Sequence, residues 1–232
     1  MKCSVLVILT CLCLLVGIIP AAATLTNYSD WASFNAAYPG LPVENFQEGN
    51  LGGAFPEPLN STSNNGYFSP GDILPGISFS TSDALGLSLM TSYQSFSFSS
   101  KTLTTAADRV DGTALVVDFS GSGVNAVGFD FYVFTNVLNS APTDISVYDF
   151  GGNITTMTIT SSNTGAAFFG VSSDLNNIKR ISILGKVPGY YEWEGIDNVA
   201  FSTPVSEPAT MLLLGAGLFG LAGYSRKQFR KK

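Results

Sequence analysis

The sequence predicts an all-β fold, an antiparallel β-sandwich or jelly roll, with a short N-terminal helix, a signal peptide and a C-terminal transmembrane helix. Three observations predict it. About ten short runs rich in β-branched and aromatic residues follow one another, from "GISFST" through "VNAVGFDFYVF" to "IDNVAFS". Gly, Asn, Asp and Ser separate them, the punctuation of strands and turns. No helical periodicity lies between them, which favours antiparallel layers over a parallel sheet with crossover helices. In "VGFDFYV" the alternation is explicit: Val127, Phe129, Phe131 and Val133 point one way, Asp130 and Tyr132 the other.

Each segment supports the same layout. "MKCSVLVILTCLCLLVGIIPAAATLTN" has a basic residue, Lys2, then an apolar run from Val5 to Ile19, then small residues. That is the pattern of an export signal, and the expected cut follows Ala23, so signal peptidase is an expected partner. The exported domain is expected over 24–203. In "TNYSDWASFNAAYPG", Ser29 or Asp30 can cap a short helix, with Trp31, Phe34 and Tyr38 on one face and Pro39-Gly40 ending it. Residues 49–70 are rich in Gly, Pro, Asn and Ser and read as a long loop, or a short strand between two turns. The strand runs occupy the rest, up to a linker at 202–206.

Composition excludes several chemistries. The chain has no histidine, so it lacks a Ser-His-Asp triad and His-ligated zinc. All three cysteines, Cys3, Cys11 and Cys13, lie within the signal, which leaves the exported part without disulfide or thiolate chemistry. Between Thr24 and Thr203 there are 16 acidic residues against five basic ones, a net charge of −11. Such a domain repels nucleic acid and anionic headgroups, so no nucleic-acid partner is expected.

Two sets of residues stand out in the domain. Glu44 in "VENFQEG" has the strand parity of Phe46, and Asp197 in "GIDNVAF" has that of Val199 and Phe201. If the aromatic faces are inward, both carboxylates point to the core, where an unpaired charge costs several kcal/mol or neutralises itself. A structural Ca²⁺ held by both would resolve this. So would hydrogen bonds from backbone N–H groups at a strand end or loop. The second set is Tyr190, Tyr191, Glu192, Trp193 and Glu194 in "GYYEWEGID". The aromatics could stack on sugar rings and the carboxylates bind hydroxyls. The two glutamates are spaced to share a strand face, at a separation in the range that polysaccharide hydrolases use. An exposed acidic face with aromatic packing is the alternative. "DRVDG" at 108–112 resembles a fragment of a calcium loop and is expected to make a turn.

The chain ends "VSEPATMLLLGAGLFGLAGYSRKQFRKK". Ala209 to Ser225 is an uncharged stretch of 17 residues, at the lower limit for a membrane-spanning helix, closed by Arg226, Lys227, Arg230, Lys231 and Lys232. The positive end stays cytoplasmic, which puts the acidic domain outside. This segment, expected over 204–232, resembles a PEP-CTERM sorting segment. Glu207-Pro208 matches the family motif, Ser206 stands in place of its first proline and Pro204 lies two residues earlier. The resemblance implies export by a Gram-negative bacterium that makes exopolysaccharide. It also implies cutting by an exosortase near Val205, Ser206, Glu207 and Pro208. The membrane helix would then be a transient anchor on the way to the cell surface or extracellular matrix. The expected role is a non-catalytic surface or matrix protein that binds exopolysaccharide. A secreted polysaccharide hydrolase and a purely structural coat or biofilm component are the alternatives.

Overall fold

The computed structural model describes residues 23–203, apart from 83–85, 94–95, 107–108, 111, 136–139, 163–165, 176 and 187–190. The signal segment, Tyr190 and the whole of 204–232, with the sorting motif and the apolar stretch, lie outside the described residues. Among the described residues no helix is long and apolar enough to cross a membrane.

The chain opens with β1 (Leu25–Tyr28) and α1 (Trp31–Ala37), followed by the short strands β2 (Val43–Glu44), β3 (Gly52–Phe55) and β4 (Leu59–Asn60). Then come β5 (Ile77–Thr81), β6 (Leu87–Tyr93), β7 (Phe96–Thr105), β8 (Arg109–Val110) and β9 (Leu115–Phe119). The long strands close the chain: β10 (Ala126–Thr135), β11 (Ser140–Asp149), β12 (Ile154–Ser162), β13 (Ala167–Ser173), β14 (Ile178–Gly185) and β15 (Tyr191–Phe201). Every run expected to be a strand is one. Residues 49–70 form β3 and β4 with turns around them. Within "DRVDG", Arg109 and Val110 pair with β15 as a strand instead of making a turn.

Pairing is antiparallel in both sheets. The first sheet runs β1-β13-β10-β15-β7-β6-β3, with β2 and β8 added along β15, and the second runs β12-β11-β14-β9-β5-β4. Phe129, Phe131, Val127 and Phe169 from the first sheet meet Val117, Ile145, Ile181 and Ile183 from the second in one core. This is a β-sandwich, and β15 lies at the centre of its larger sheet.

The outer face of that sheet is covered at one end by α1. Asp30 caps the helix, its carboxylate accepting from the Ser33 N–H at 2.8 Å. The helix is too short to persist alone, so packing holds it. Phe34 enters a window made by two glycines paired across strands, Gly128 and Gly170. A Cβ at Gly128 would stand 2.8 Å from the Phe34 ring and one at Gly170 3.0 Å from it, so neither position admits a side chain without displacing the ring. Tyr28, Trp31, Tyr38 and Phe168 close around Phe34.

Candidate functional site

The chemistry-bearing residues converge on β15, whose two faces carry different carboxylates. Its core residues are Ile196, Val199 and Phe201, a spacing of three and then two. The alternation breaks because the register with β10 shifts between Gly128 and Asp130, and Asn198 adopts φ +50°, a left-handed conformation uncommon outside glycine. Residues before the break keep the parity of Ile196, so Glu192 and Glu194 face the second sheet. Asp197 faces outward.

The inner pair is closely packed. Gly185, the last residue of β14, donates its N–H to Glu194 Oε1 at 3.0 Å, and the Thr105 hydroxyl donates to Oε2 at 3.3 Å. A Cβ at Gly185 would lie 2.4 Å from Glu192 Oε2 and 2.9 Å from Val133 Cγ1, so glycine there leaves room for the Glu192 carboxylate between the sheets. Glu194 is 1 % exposed and Glu192 4 %. Burial pushes the Glu194 carboxyl up to about 8, the Glu192 charge adds to the rise, and the Gly185 N–H opposes it.

The outer pair is built differently. Asp197 sits opposite Asp130 of β10. Its Oδ1 accepts from the Asn198 N–H at 2.7 Å, and its Oδ2 accepts a short hydrogen bond from Ser100. Asp130 accepts from Trp31 Nε1 at 2.7 Å and from Asn198 Nδ2 at 2.8 Å. Asn198 thus clamps both carboxylates, one through its backbone and one through its side chain. Burial raises the Asp197 carboxyl to about 6; Ser100 and the Asn198 N–H hold it down, and the Asp130 charge raises it. Trp31 links this pair to α1.

Several sequence expectations are corrected here. Asp197 does not share the inward face of Val199 and Phe201, because the irregularity at Asn198 turns it outward. Glu44 is inward, at 2 % exposure. Its two oxygens accept from the N–H groups of Phe46 at 2.9 Å and Leu74 at 2.8 Å. Burial still raises its carboxyl above the usual range, with these bonds opposing. Glu44 and Asp197 therefore keep separate partners on different faces of the sheet, a donor set that does not fit one shared calcium ion. Among the described residues no group of three or more His, Cys, Asp or Glu side chains is placed to hold a metal.

The acidic-aromatic stretch is no exposed face either. Tyr191 opens β15 opposite Val110, and Trp193, 8 % exposed, packs with Phe98, Tyr132, Phe134 and Met90 on the outward side of the strand. Tyr132 and Phe134 stack, with ring centroids 5.7 Å apart, and Phe98 meets both edge-on at 5.0 and 5.1 Å. The indole face is spent on this satellite core, and sheet parity sends the flanking glutamates the other way.

Sequence reasoning missed Asp130, Ser100 and Asn198. Asp130 had a visible signal, a lone charge inside the most aromatic strand. Ser100 and Asn198 had none. Glu57 was missed as well: its carboxylate takes the Thr81 N–H and hydroxyl, both at 2.6 Å, and the Gly86 N–H at 2.7 Å. Glu44, Glu57, Glu194 and Asp197 are all held by N–H and O–H donors in this cation-poor domain. Among the described residues two ion pairs, Arg180–Asp118 at 2.7 Å and Lys186–Asp144 at 2.9 Å, sit on the second sheet's outer side.

Fold and site together define an acidic antiparallel β-sandwich whose ionisable residues act largely as internal staples. Its C-terminal end matches a family described as the PEP-CTERM protein-sorting motif, over residues 204–227. That motif marks an exported protein sorted to the cell surface. No curated protein matches the chain. Among solved structures, the CBM22-1 xylan-binding domain from Paenibacillus barcinonensis Xyn10C is 11 % identical over 70 % of this chain and 94 % of that one, at a TM-score of 0.39. A mutant of CBM29-2, a family 29 carbohydrate-binding module, is 15 % identical over 81 % and 99 %, at 0.38. TmCBM61 in complex with β-1,4-galactotriose is 17 % identical over 54 % and 88 %, at 0.31. Likeness at this level says nothing of what this chain binds.

Proposed function

We propose that this chain is an exported, exosortase-processed protein of the cell surface or extracellular matrix, and that its β-sandwich is a non-catalytic module working within or against exopolysaccharide. The sorting motif at 204–227 carries the reading. The signal pattern at the opposite end supports it: two terminal addresses flank one acidic domain. In this reading the cut after Ala23 and the cut near Glu207-Pro208 release the domain, and the apolar stretch from Ala209 to Ser225 holds it at the membrane only in between.

The non-catalytic part rests on the acids. A glycoside hydrolase needs two carboxyl groups flanking the scissile bond, one on each side of the sugar. Glu192 and Glu194 instead lie on one face of one strand, almost wholly buried against Gly185. The packing of Trp193 likewise moves any sugar contact away from that indole, which favours a matrix-building role over a dedicated binding platform.

The deciding experiment follows the full chain and a version lacking 204–232 in an exopolysaccharide-producing host. Surface or matrix fractions should hold the full chain only, and the exported domain should co-sediment with the host's polysaccharide. Equal surface recovery of both versions would sink the sorting reading. Release of reducing sugar from that polysaccharide would sink the non-catalytic one.

A further inference from the structure

β1 is an edge strand, and its first ladder pair sets Leu25 opposite Ser173. One residue earlier the chain is held twice. The Thr24 N–H donates to Asp174 Oδ1 at 2.9 Å, and the Asp174 N–H donates to the Thr24 carbonyl at 3.3 Å. Asp174 opens the turn from β13 to β14. Ser173 Oγ ties that turn, accepting from the Leu175 N–H at 3.1 Å and donating to Asn177 Oδ1 at 2.7 Å. The turn that carries Asp174 is thus tied on its own side chains, while the carboxylate itself meets Thr24.

The N–H it receives belongs to the residue just after the expected export cut. We propose that cleavage of the Ala23–Thr24 bond makes Thr24 N the mature α-ammonium, and that Asp174 is its built-in receptor. This rests on the reading of Ala23–Thr24 as the processing site. The step is ordinary hydrolysis: water adds across the amide, Ala23 leaves as a carboxylate and Thr24 keeps the amine, which takes a proton. One neutral N–H becomes three donors with a full positive charge, so a neutral hydrogen bond becomes a charge-assisted one. Both groups are exposed, so the gain is modest and salt-sensitive. Its place is where it matters, at the end of an edge strand that would otherwise fray. Unprocessed chain has the hydrogen bond without the charge, so maturation itself fastens β1. A cut one residue to either side would move the charge off Thr24.

The test uses full-length chain expressed in an exporting host, with the mature protein purified from the exported fraction. Intact mass and N-terminal sequencing should give Thr24 as the first residue. The α-amine, followed by NMR or pH-dependent reductive methylation, should titrate above the ~7.7–8.0 of a free chain end. Asp174→Asn, which keeps an acceptor and the turn, should return it to that range and speed amide exchange at Leu25–Tyr28, and high salt should shrink the difference. A mature chain starting elsewhere overturns the proposal together with the processing site. A chain starting at Thr24 whose amine does not respond to Asp174→Asn overturns the receptor alone and leaves the export reading standing.

Discussion

The inner and outer carboxylates of β15 face the same problem and meet it differently. Glu194 looks between the sheets, with one backbone N–H, one hydroxyl and the Glu192 charge for neighbours, and its carboxyl rises to about 8. Asp197 looks outward, with a short bond from Ser100, a backbone N–H from Asn198 and Asp130 beside it, and rises only to about 6. Desolvation is the first cause in both. What separates them is depth of burial and how well the donors fit the charged form. The inner acid is the neutral one at neutral pH, a hydrogen-bonding member of the core. The outer pair is a clamp that joins β10, β15, β7 and α1.

Trp193 gives the largest expected effect, because it decides whether the outward face of β15 is core or surface. Trp193→Ala should lower unfolding free energy by about 3–5 kcal/mol in a denaturant melt. A loss below about 0.5 kcal/mol is what an exposed stacking platform would give, and it would restore that reading.

The inner acid should show in the pH dependence of stability. The folded carboxyl of Glu194 is raised from 4.5 to about 8, so the folded chain keeps a proton that the unfolded chain has released. Stability from this group is full below about pH 4.5, falls as pH rises to about 8 and is level beyond. Glu194→Gln keeps an acceptor for Gly185 and removes the titration. The variant should exceed the parent by a few kcal/mol near pH 9 and match it near pH 4. Parallel profiles across that range would mean Glu194 is charged in the folded state.

Breaking the outer clamp should cost less. Asp130→Ala leaves Trp31 Nε1 and Asn198 Nδ2 without their acceptor, for about 1–3 kcal/mol. It also removes the like charge, so the Asp197 carboxyl should titrate lower by NMR. A titration unmoved by the variant would show that the two acids do not feel each other.

The smallest expected effect is none at all. Millimolar Ca²⁺ should leave the melting temperature unchanged, since Glu44 is satisfied by Phe46 and Leu74 and Asp197 by Ser100 and Asn198. A clear rise would put a cation between groups described here as separate.

Much of this protein was legible in one dimension. Alternation in "VGFDFYV" set β10 inward and outward correctly because a strand's side chains have a period of two regardless of what lies beyond. A cap at Ser29 or Asp30 and the Trp31–Phe34–Tyr38 face were readable for the same reason, since capping and helical spacing are local, and the fold chose Asp30. Glu44 is buried as expected, although β2 ends there and Phe46, at φ +56°, lies outside the strand, so pairing with Val199 and not parity with Phe46 turns it inward; its backbone donors were one of two stated solutions. The C-terminal motif needed no fold, because the match rests on a short linear stretch of residues.

The tertiary structure alone decided the rest. Parity from Phe201 back to Asp197 failed because one left-handed residue, Asn198, shifts the phase, and only the register against β10 shows it. Trp193 and the glutamates could be read as an exposed face because the sequence cannot say that β15 is the central strand, covered on both faces. Nor could it say that Gly185, on the opposing sheet, leaves room for the Glu192 carboxylate and gives its N–H to Glu194, or that Asp174 meets Thr24 across 150 residues of chain. Local periodicity is written in the order of residues. Which acid meets which donor depends on strands that come together only on folding, and that is where this domain keeps its charges.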